Sequence, residues 1–314
     1  MAYGIFHTAR PFTKILLVLF LMLTFYLIFF GIGILIAWPV FKIPPSEVIS
    51  IIESRDANGY IGLMKFLQVL YSIGLFLVPA LLAGFLIQKN TWDYLKVNRS
   101  VNISLFILVI LLMIVSIPWI NYLGFLNEKL SLPERWSEWM DRIRQNDENS
   151  WELMKSYLAT KSIWGLLFNL FMVALIPAVG EELLFRGTLQ RIFSEWFRSG
   201  HLAVWTTAIL FSLMHYQFLG FIPRILLGAL FGYLFLWTNN IWMPVLAHFV
   251  NNAVAVVYYY LFLQGSLRTD PEQLGMQGNP ILFIMGSVIL AVMGLMVIRQ
   301  LGRTSADSEL GRIE

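Results

Sequence analysis

Two adjacent glutamates, Glu181 and Glu182, directly follow residues 163–180, a stretch without charged side chains that is typical of a membrane-spanning helix. A charge near the centre of such a helix costs about 2.5–3.5 kcal/mol, so it usually lines a cavity or has a partner. Arg186 follows Glu182 with i, i+4 spacing, the favourable order for a helical ion pair. Because Glu181 projects about 100° away from Glu182, we predict a Glu182–Arg186 pair and a Glu181 carboxylate left for chemistry. Two carboxylates near the end of a span remain the alternative.

Two histidines lie in other uncharged stretches of the sequence. Phe211 precedes His215 by four residues, which places its ring on the same helical face, and Asn252 follows His248 with the same spacing. A single histidine in a membrane helix can simply hydrogen-bond to a neighbouring helix. A glutamate, two histidines and an asparagine in three separate apolar segments favour a shared site instead.

This set of side chains suits hydrolysis. A carboxylate and an imidazole can orient and deprotonate a water molecule, and a second imidazole with an amide can donate hydrogen bonds to a developing oxyanion. The same groups could hold a divalent metal such as zinc, with Glu181, His215 and His248 as ligands. The His-Glu-x-x-His, Gly-x-Ser-Gly and Gly-x-Gly-Asp motifs of other proteases are absent from the sequence.

The composition indicates what kind of fold must position these residues. Hydrophobic residues make up 58% of the 314 residues and charged residues 13%, against roughly 25% charged in soluble domains. Mean hydropathy is +0.70. These values predict a multi-pass membrane protein. A net charge of +3 without a dense basic run argues against nucleic-acid binding, and the lack of cysteine excludes disulfides and thiolate chemistry.

The apolar stretches predict an all-α transmembrane bundle of about eight spans. The segment from Ile225 to Leu267 contains no Lys, Arg, Asp or Glu and is long enough for two spans, with a turn near Asn239 and Asn240. The other six spans are predicted at residues 15–37, 66–87, 103–126, 163–180, 202–222 and 281–298.

A long polar segment, residues 127–162, connects the third and fourth spans. Its first half has apolar residues with helical spacing at Trp136, Trp139, Met140 and Ile143. Its second half begins with a capping-box pattern at Asn149 and has a similar spacing at Trp151, Met154 and Leu158. We therefore predict two amphipathic helices. They could lie at the bilayer interface or pack on the end of the bundle.

These patterns predict three parts: residues 1–160 with the first spans and interfacial helices, 161–265 with the catalytic core, and 266–314 with the last span and a polar tail. Eight spans would place both termini on one side of the membrane. The distribution of Lys and Arg favours the cytoplasmic side of a plasma or inner membrane.

Glu181-Glu182-x-x-x-Arg186, Phe211-x-x-x-His215 and His248-x-x-x-Asn252 resemble the three ordered motifs of the CPBP family. This is the type II CAAX prenyl endopeptidase and bacteriocin-processing family, also called Abi. The resemblance implies that Glu181 and His215 activate the hydrolytic water, that His248 and Asn252 stabilise the oxyanion, and that Glu182, Arg186 and Phe211 support the site. Members are described both as metalloproteases and as glutamate-type proteases.

The leading hypothesis is therefore an intramembrane endopeptidase acting on a membrane-associated peptide or protein, of the CAAX-like or the bacteriocin and leader-peptide type. An ion- or proton-coupled transporter is one alternative, since intramembrane Glu and His also serve as proton relays. A non-catalytic membrane scaffold or self-immunity protein is another. The expected partners are the substrate and the lipid bilayer, with no nucleic acid.

Overall fold

The computed structural model describes residues 3–54, 59–100, 102–129, 133–269 and 280–310, and every regular element in these ranges is helical. A single 3-10 turn, Glu134–Trp136, precedes the sixth of the helices. In chain order the helices are α1 (Pro11–Phe41), α2 (Pro45–Ser54), α3 (Ile61–Gln88), α4 (Thr91–Tyr94), α5 (Ile103–Glu128), α6 (Ser137–Leu158), α7 (Ile163–Phe197), α8 (Gly200–Leu213), α9 (Phe221–Thr238), α10 (Trp242–Leu263) and α11 (Pro280–Leu310).

Seven of the helices in the described ranges are long and apolar enough to cross a membrane: α1, α3, α5, α7, α9, α10 and α11. Helix α8 is apolar but shorter. The prediction of a helical bundle with about eight spans is confirmed. The turn between α9 and α10 lies at the predicted asparagines, where Asn239 adopts a left-handed conformation. The chain is thus a multi-pass membrane protein, and the side on which its termini lie stays a prediction.

The predicted fifth span, residues 202–222, is wrong in its second half. Helix α8 ends at Leu213, and residues 214–220 form a loop before α9 begins at Phe221. The apolar composition continues through this loop, so hydropathy alone does not mark the end of the helix. The loop carries His215, which makes it the most informative departure from the sequence prediction.

The two amphipathic helices predicted between the third and fourth spans are one continuous helix, α6. No glycine or proline interrupts the polar residues between its two aromatic faces, and the predicted capping position at Asn149 lies within the helix. Among the polar residues in its middle, Asn146 and Asp147 bind the loop after α8. The polar residues that suggested a boundary between two helices therefore form the contact of α6 with this loop.

Two prolines each follow a π-helical segment in the helices that form the site. Pro79 lies two residues after a π-helical segment of α3, Ile73–Leu77, and Pro177 lies two residues after another in α7, Leu170–Leu175. Proline has no N–H to donate and its ring crowds the preceding turn, and a π turn accommodates both effects. A third π segment, Phe185–Leu189, follows the two glutamates on α7.

Close approach of the helices around the site depends on small residues. A Cβ added to Gly180 would lie 3.3 Å from the Cβ of Phe76, so a larger residue would push α7 away from α3 directly beside Glu181. A Cβ added to Gly228 would lie 3.2 Å from the Cα of Ala208. This second contact brings α9 against α8 and places the Gly228 carbonyl within reach of α7.

Candidate active site

Glu181 lies on α7 beside a cavity of about 300 Å³ that His215 also lines. The Glu181 side chain is buried, and its Oε2 atom has no hydrogen-bond partner among the described residues. A buried polar atom without a partner is costly and calls for a ligand or water. The remaining wall residues come mainly from α3 and α6: Gln68, Tyr71, Ser72, Phe76, Ser150, Leu153, Met154 and Tyr157, with Phe185, Met214 and Gln217.

The ring of His215 is fixed by its own helix end. Its Nδ1 atom lies 2.8 Å from the carbonyl oxygen of Phe211. Because a carbonyl only accepts, Nδ1 carries the proton, and in the neutral ring Nε2 keeps its lone pair. The Phe211 ring contacts the imidazole edge-on at a centroid distance of 4.8 Å. His215 is thereby held in the tautomer that suits a general base.

Polar side chains from α5 and α6 hold the loop that carries His215. Asn127 donates from Nδ2 to the carbonyls of Phe218 and Leu219, and Asp147 Oδ2 accepts from the Leu219 N–H at 2.7 Å. Irregular backbone at membrane depth is tolerated only where its polar groups are bonded in this way. Further donors to loop carbonyls are Asn146 to Tyr216 and Arg224 to Gln217.

Glu182 and Arg186 form the predicted ion pair. Arg186 Nη1 lies 2.8 Å from Glu182 Oε1, and both side chains are fully buried. Arg186 Nη2 donates to the Gly228 carbonyl at 2.9 Å, and the guanidinium lies 4.7 Å from the centre of the Phe211 ring. The pair therefore joins α7 to α8 and α9 behind the cavity.

His248 binds the same carboxylate, a contact that the motif spacing does not predict. Its Nδ1 atom lies 2.9 Å from Glu182 Oε1, and its ring stacks on Phe231 at a centroid distance of 5.2 Å. An ionised carboxylate only accepts hydrogen bonds, so Nδ1 carries the proton. Glu182 thus orients the histidine, and Nε2 is the atom left for other contacts.

Asn252 is oriented by neighbours on both ends of its amide. Its Nδ2 donates to the Val173 carbonyl at 3.1 Å, and its Oδ1 accepts from Asn251 at 3.1 Å. Val173 is the residue four before Pro177, which has no N–H to bond this carbonyl in the helix. The proline of α7 therefore frees the acceptor that positions Asn252, and Nδ2 keeps a second hydrogen.

The four predicted site residues do not all line the cavity. Glu181 and His215 line the cavity. His248 lies outside the cavity lining, with its ring 5.8 Å from that of Phe211, which in turn contacts His215. Asn252 is on the same helix as His248 and contacts α7. Phe211, predicted as a supporting residue, thus touches both histidines.

Comparison with known proteins shows what the segment that carries this site is similar to. Residues 157–254 match the family model described as type II CAAX prenyl endopeptidase Rce1-like. This part of the chain is therefore similar to the Rce1-like family. The matched segment contains all three motifs and overlaps the predicted core at residues 161–265, while the three-part division of the chain stays a prediction.

The Rce1-like segment also has a curated relative. The uncharacterized protein YpbD of Bacillus subtilis (strain 168) is 32% identical over 104 residues, which is 32% of this chain and 48% of the relative. The chain therefore spans about half the length of the curated relative that it matches. No solved structure matches the chain significantly.

The possible metal ligands of this site do not form a cluster in the described part of the chain. No group of three or more His, Asp or Glu side chains there is arranged to hold a metal ion. Among the residues predicted as possible ligands, His248 bonds Glu182 and His215 bonds a carbonyl through Nδ1, which leaves Nε2 of each ring for other contacts. A divalent metal such as zinc stays a prediction.

Several residues that build the site lie outside the Rce1-like segment and were missed by sequence reasoning. Asn127 and Asp147 hold the His215 loop, and α3 and α6 supply much of the cavity wall. One signal could have identified them. Asn127 lies at the end of an apolar span and Asp147 lies within an amphipathic helix. Polar side chains in such positions need hydrogen-bond partners, which the loop provides here.

Proposed function

We propose that the protein is an intramembrane endopeptidase that uses Glu181 and His215 to activate water. The observation that carries this proposal is that Glu181, whose buried Oε2 has no hydrogen-bond partner among the described residues, lines the same cavity as His215. The match of residues 157–254 to the Rce1-like family model supports a peptidase. The cavity is large enough for a water molecule and part of a peptide chain.

In the proposed reaction, Glu181 and His215 Nε2 accept hydrogen bonds from one water molecule. As the water oxygen bonds to the scissile carbonyl carbon, its proton passes to this pair of groups. The proton is then given to the amide nitrogen, the carbon–nitrogen bond breaks, and an amine and a carboxylic acid result. Each atom of the water molecule is accounted for in the two products.

His248 and Asn252 stabilise the oxyanion in this proposal. The second hydrogen on Asn252 Nδ2 is available for the purpose, since the first is bonded to the Val173 carbonyl. His248 can donate from Nε2 only when the ring carries two protons, because the Nδ1 proton is used by Glu182. The Glu182 carboxylate orients the His248 ring through Nδ1, and Arg186 holds that carboxylate in place.

We propose a membrane-associated peptide or protein as the substrate, of the CAAX-like or the leader-peptide type. The cavity wall combines apolar side chains such as Leu153 and Met154 with the amide of Gln68 and the hydroxyl of Ser72. An extended peptide needs this mixture, since its side chains require apolar contacts and its backbone requires hydrogen bonds. We assign the enzyme to the glutamate type, because the Glu181 carboxylate and the Nε2 lone pair of His215 can together take a proton from water.

The direct test uses the purified full-length protein in nanodiscs with a prenylated CAAX peptide, an unprenylated copy and a leader-type peptide. Products are identified by mass spectrometry for the wild type and for Glu181→Gln. The proposal expects a defined cleavage by the wild type only, retained after strong chelation. Cleavage that chelation abolishes and zinc restores would contradict the glutamate type, and identical cleavage by Glu181→Gln would contradict the assignment of the base.

A further inference from the structure

Gln217 lies in the loop between α8 and α9, two residues after His215, and lines the same cavity as Glu181 and His215. The reaction proposed above gives it no role, since neither the activation of water nor the stabilisation of the oxyanion uses its side chain. It lies within the segment that matches the Rce1-like family model, but outside the three motifs. Its contacts therefore have to indicate what it does.

Arg224, in the first turn of α9, binds both the backbone and the side chain of Gln217. Its Nη1 donates to the Gln217 carbonyl at 3.0 Å, and its Nη2 donates to Gln217 Oε1. A guanidinium only donates hydrogen bonds, so the oxygen of the amide is the atom that faces Arg224. Because the donor is charged, this bond is stronger than one between neutral groups. The orientation of the Gln217 amide is thereby fixed.

Gly220 provides the space in which Arg224 reaches back to the loop. A Cβ added to Gly220 would lie 2.5 Å from Arg224 Nη2 and 2.7 Å from its Cζ. The φ angle of Gly220 is −104°, which other residues also adopt, so it is the space that calls for glycine here. The glycine thus permits the contact, and the arginine orients the amide of Gln217.

The fixed orientation leaves the Nε2 atom of Gln217 as a donor without a partner. No hydrogen bond in the described part of the chain uses this atom. It is also not one of the side-chain atoms there that are both buried and unpartnered. Nε2 is therefore accessible, and its two hydrogens can be donated to an acceptor that enters the cavity.

The charge of the cavity favours a neutral acceptor. Glu181 is the one charged side chain among the described residues that line it, and Arg224 lies behind Gln217 without lining it. In its ionised, water-activating form Glu181 repels a carboxylate of a ligand, whereas a neutral carbonyl is not repelled. The backbone carbonyl of an extended peptide is therefore the acceptor that suits this cavity best.

We propose that Gln217 is a substrate-binding residue whose Nε2 donates to a backbone carbonyl of the peptide, and that Arg224 is the residue that positions it. This inference rests on the proposed peptidase function, because it takes a peptide as the occupant of the cavity. A bond to the backbone does not depend on the side chains of the substrate. Gln217 therefore holds the peptide in an extended form, and the apolar walls of the cavity select its sequence.

The first test measures steady-state cleavage by the purified full-length protein in nanodiscs, with the prenylated CAAX peptide, its unprenylated copy and the leader-type peptide. Gln217→Met keeps the size of the side chain and removes the donor. We expect KM to rise about tenfold for each cleaved peptide, while kcat changes less than about threefold. Gln217→Glu keeps the bond to Arg224 without the donor and should raise KM as much. Gln145→Met, on the exposed side of α6, is the matched control.

A second pair of variants tests the positioning role of Arg224 without changing Gln217 or any charge. Gly220→Ala displaces the guanidinium, so the amide loses its fixed orientation and KM should rise about tenfold. Gly124→Ala, in α5, is the matched control, because the added Cβ meets open space, and it should leave KM unchanged. A wild-type KM for Gly220→Ala would contradict the role given to Arg224.

Peptides in which one backbone carbonyl at a time is replaced by a methylene group identify the acceptor. Their binding is followed by fluorescence anisotropy of labelled peptides, with Glu181→Gln present in every protein to prevent cleavage. At one position the replacement should weaken binding about tenfold when Gln217 is present and should have no effect in Gln217→Met. A structural role of Gln217 alone would not produce this dependence on one carbonyl.

The outcomes separate this inference from the proposed function. Cleavage with the same KM for Gln217→Met, Gln217→Glu and the wild type would overturn the inference and leave the peptidase intact. A fall in kcat at unchanged KM would also overturn it, since the donor would then act in the transition state. Peptide binding that depends on Gln217, without cleavage by the wild type, would support the inference and contradict the proposed function. Neither binding nor cleavage of the three peptides would contradict both.

Discussion

The Nδ1 atom of His248 lies 2.9 Å from the Oε1 atom of Glu182, and this hydrogen bond joins α10 to α7. The same oxygen accepts from Arg186 at 2.8 Å. Glu182 therefore holds both neighbours through Oε1, while its Oε2 has no hydrogen-bond partner among the described residues. Glu181, next to it in the chain, lines the cavity, which Glu182 does not. The two adjacent carboxylates thus have different roles, since Glu182 positions its neighbours and Glu181 is the proposed base.

Removal of Arg186 should destabilise the protein. Arg186→Ala leaves the buried Glu182 carboxylate with one donor fewer, and removal of one partner of a buried ion pair costs about 3–5 kcal/mol. Thermal unfolding in detergent, compared with the wild type, measures the effect. Lys155→Ala, which breaks the exposed pair with Glu152, is the control and should cost at most about 1 kcal/mol. Equal stability of both variants would contradict the structural role given to Arg186.

Asn252 should matter more for turnover than its neighbour Asn251. Asn252→Ala removes a proposed oxyanion donor, for which the expected loss in turnover is about 10²–10³. Asn251→Ala removes only the group that donates to Asn252 Oδ1, so its loss should be smaller. Steady-state kinetics on a cleaved peptide separates the two. The reverse order would contradict the oxyanion assignment.

Pro177 should support activity through a carbonyl that it leaves unbonded. Pro177→Ala supplies an N–H that competes with Asn252 for the Val173 carbonyl, so the amide loses its anchor. We expect activity to fall about 10- to 100-fold, because small misplacements of a catalytic group have effects of this size. Thermal stability should not fall, since alanine favours the helix. Pro118→Ala, in α5, is the control and should leave turnover unchanged.

Asp147 should hold His215 in place through the loop. Asp147→Ala leaves the Leu219 N–H without its acceptor, which costs about 1–3 kcal/mol. We expect faster proteolytic cleavage within residues 214–220 and at least about a tenfold loss of activity. Asp141→Ala, on the exposed side of the same helix, is the matched control. A loop that stays protected in Asp147→Ala would show that other contacts suffice.

The sequence predicts those parts of the site that depend on local spacing. The Glu182–Arg186 pair follows from i, i+4 geometry on one helix, and the spans follow from hydropathy. The end of α8 at Leu213 cannot be predicted in this way, because Asn127 and Asp147 stabilise the loop from distant parts of the chain. The bond between His248 and Glu182 likewise depends on how α10 packs against α7.

The most direct test of the central claim compares peptide termini in membranes of cells that contain either the wild type or Glu181→Gln. Glutamine keeps the size of the side chain and removes the proposed base, so the variant should be present in membranes at the wild-type level. We predict that at least one new terminus, at a site in or beside a membrane segment, is found with the wild type and is lost with Glu181→Gln. Identical sets of termini, with both proteins present at equal amounts, would contradict the assignment of Glu181 as the base of an intramembrane endopeptidase.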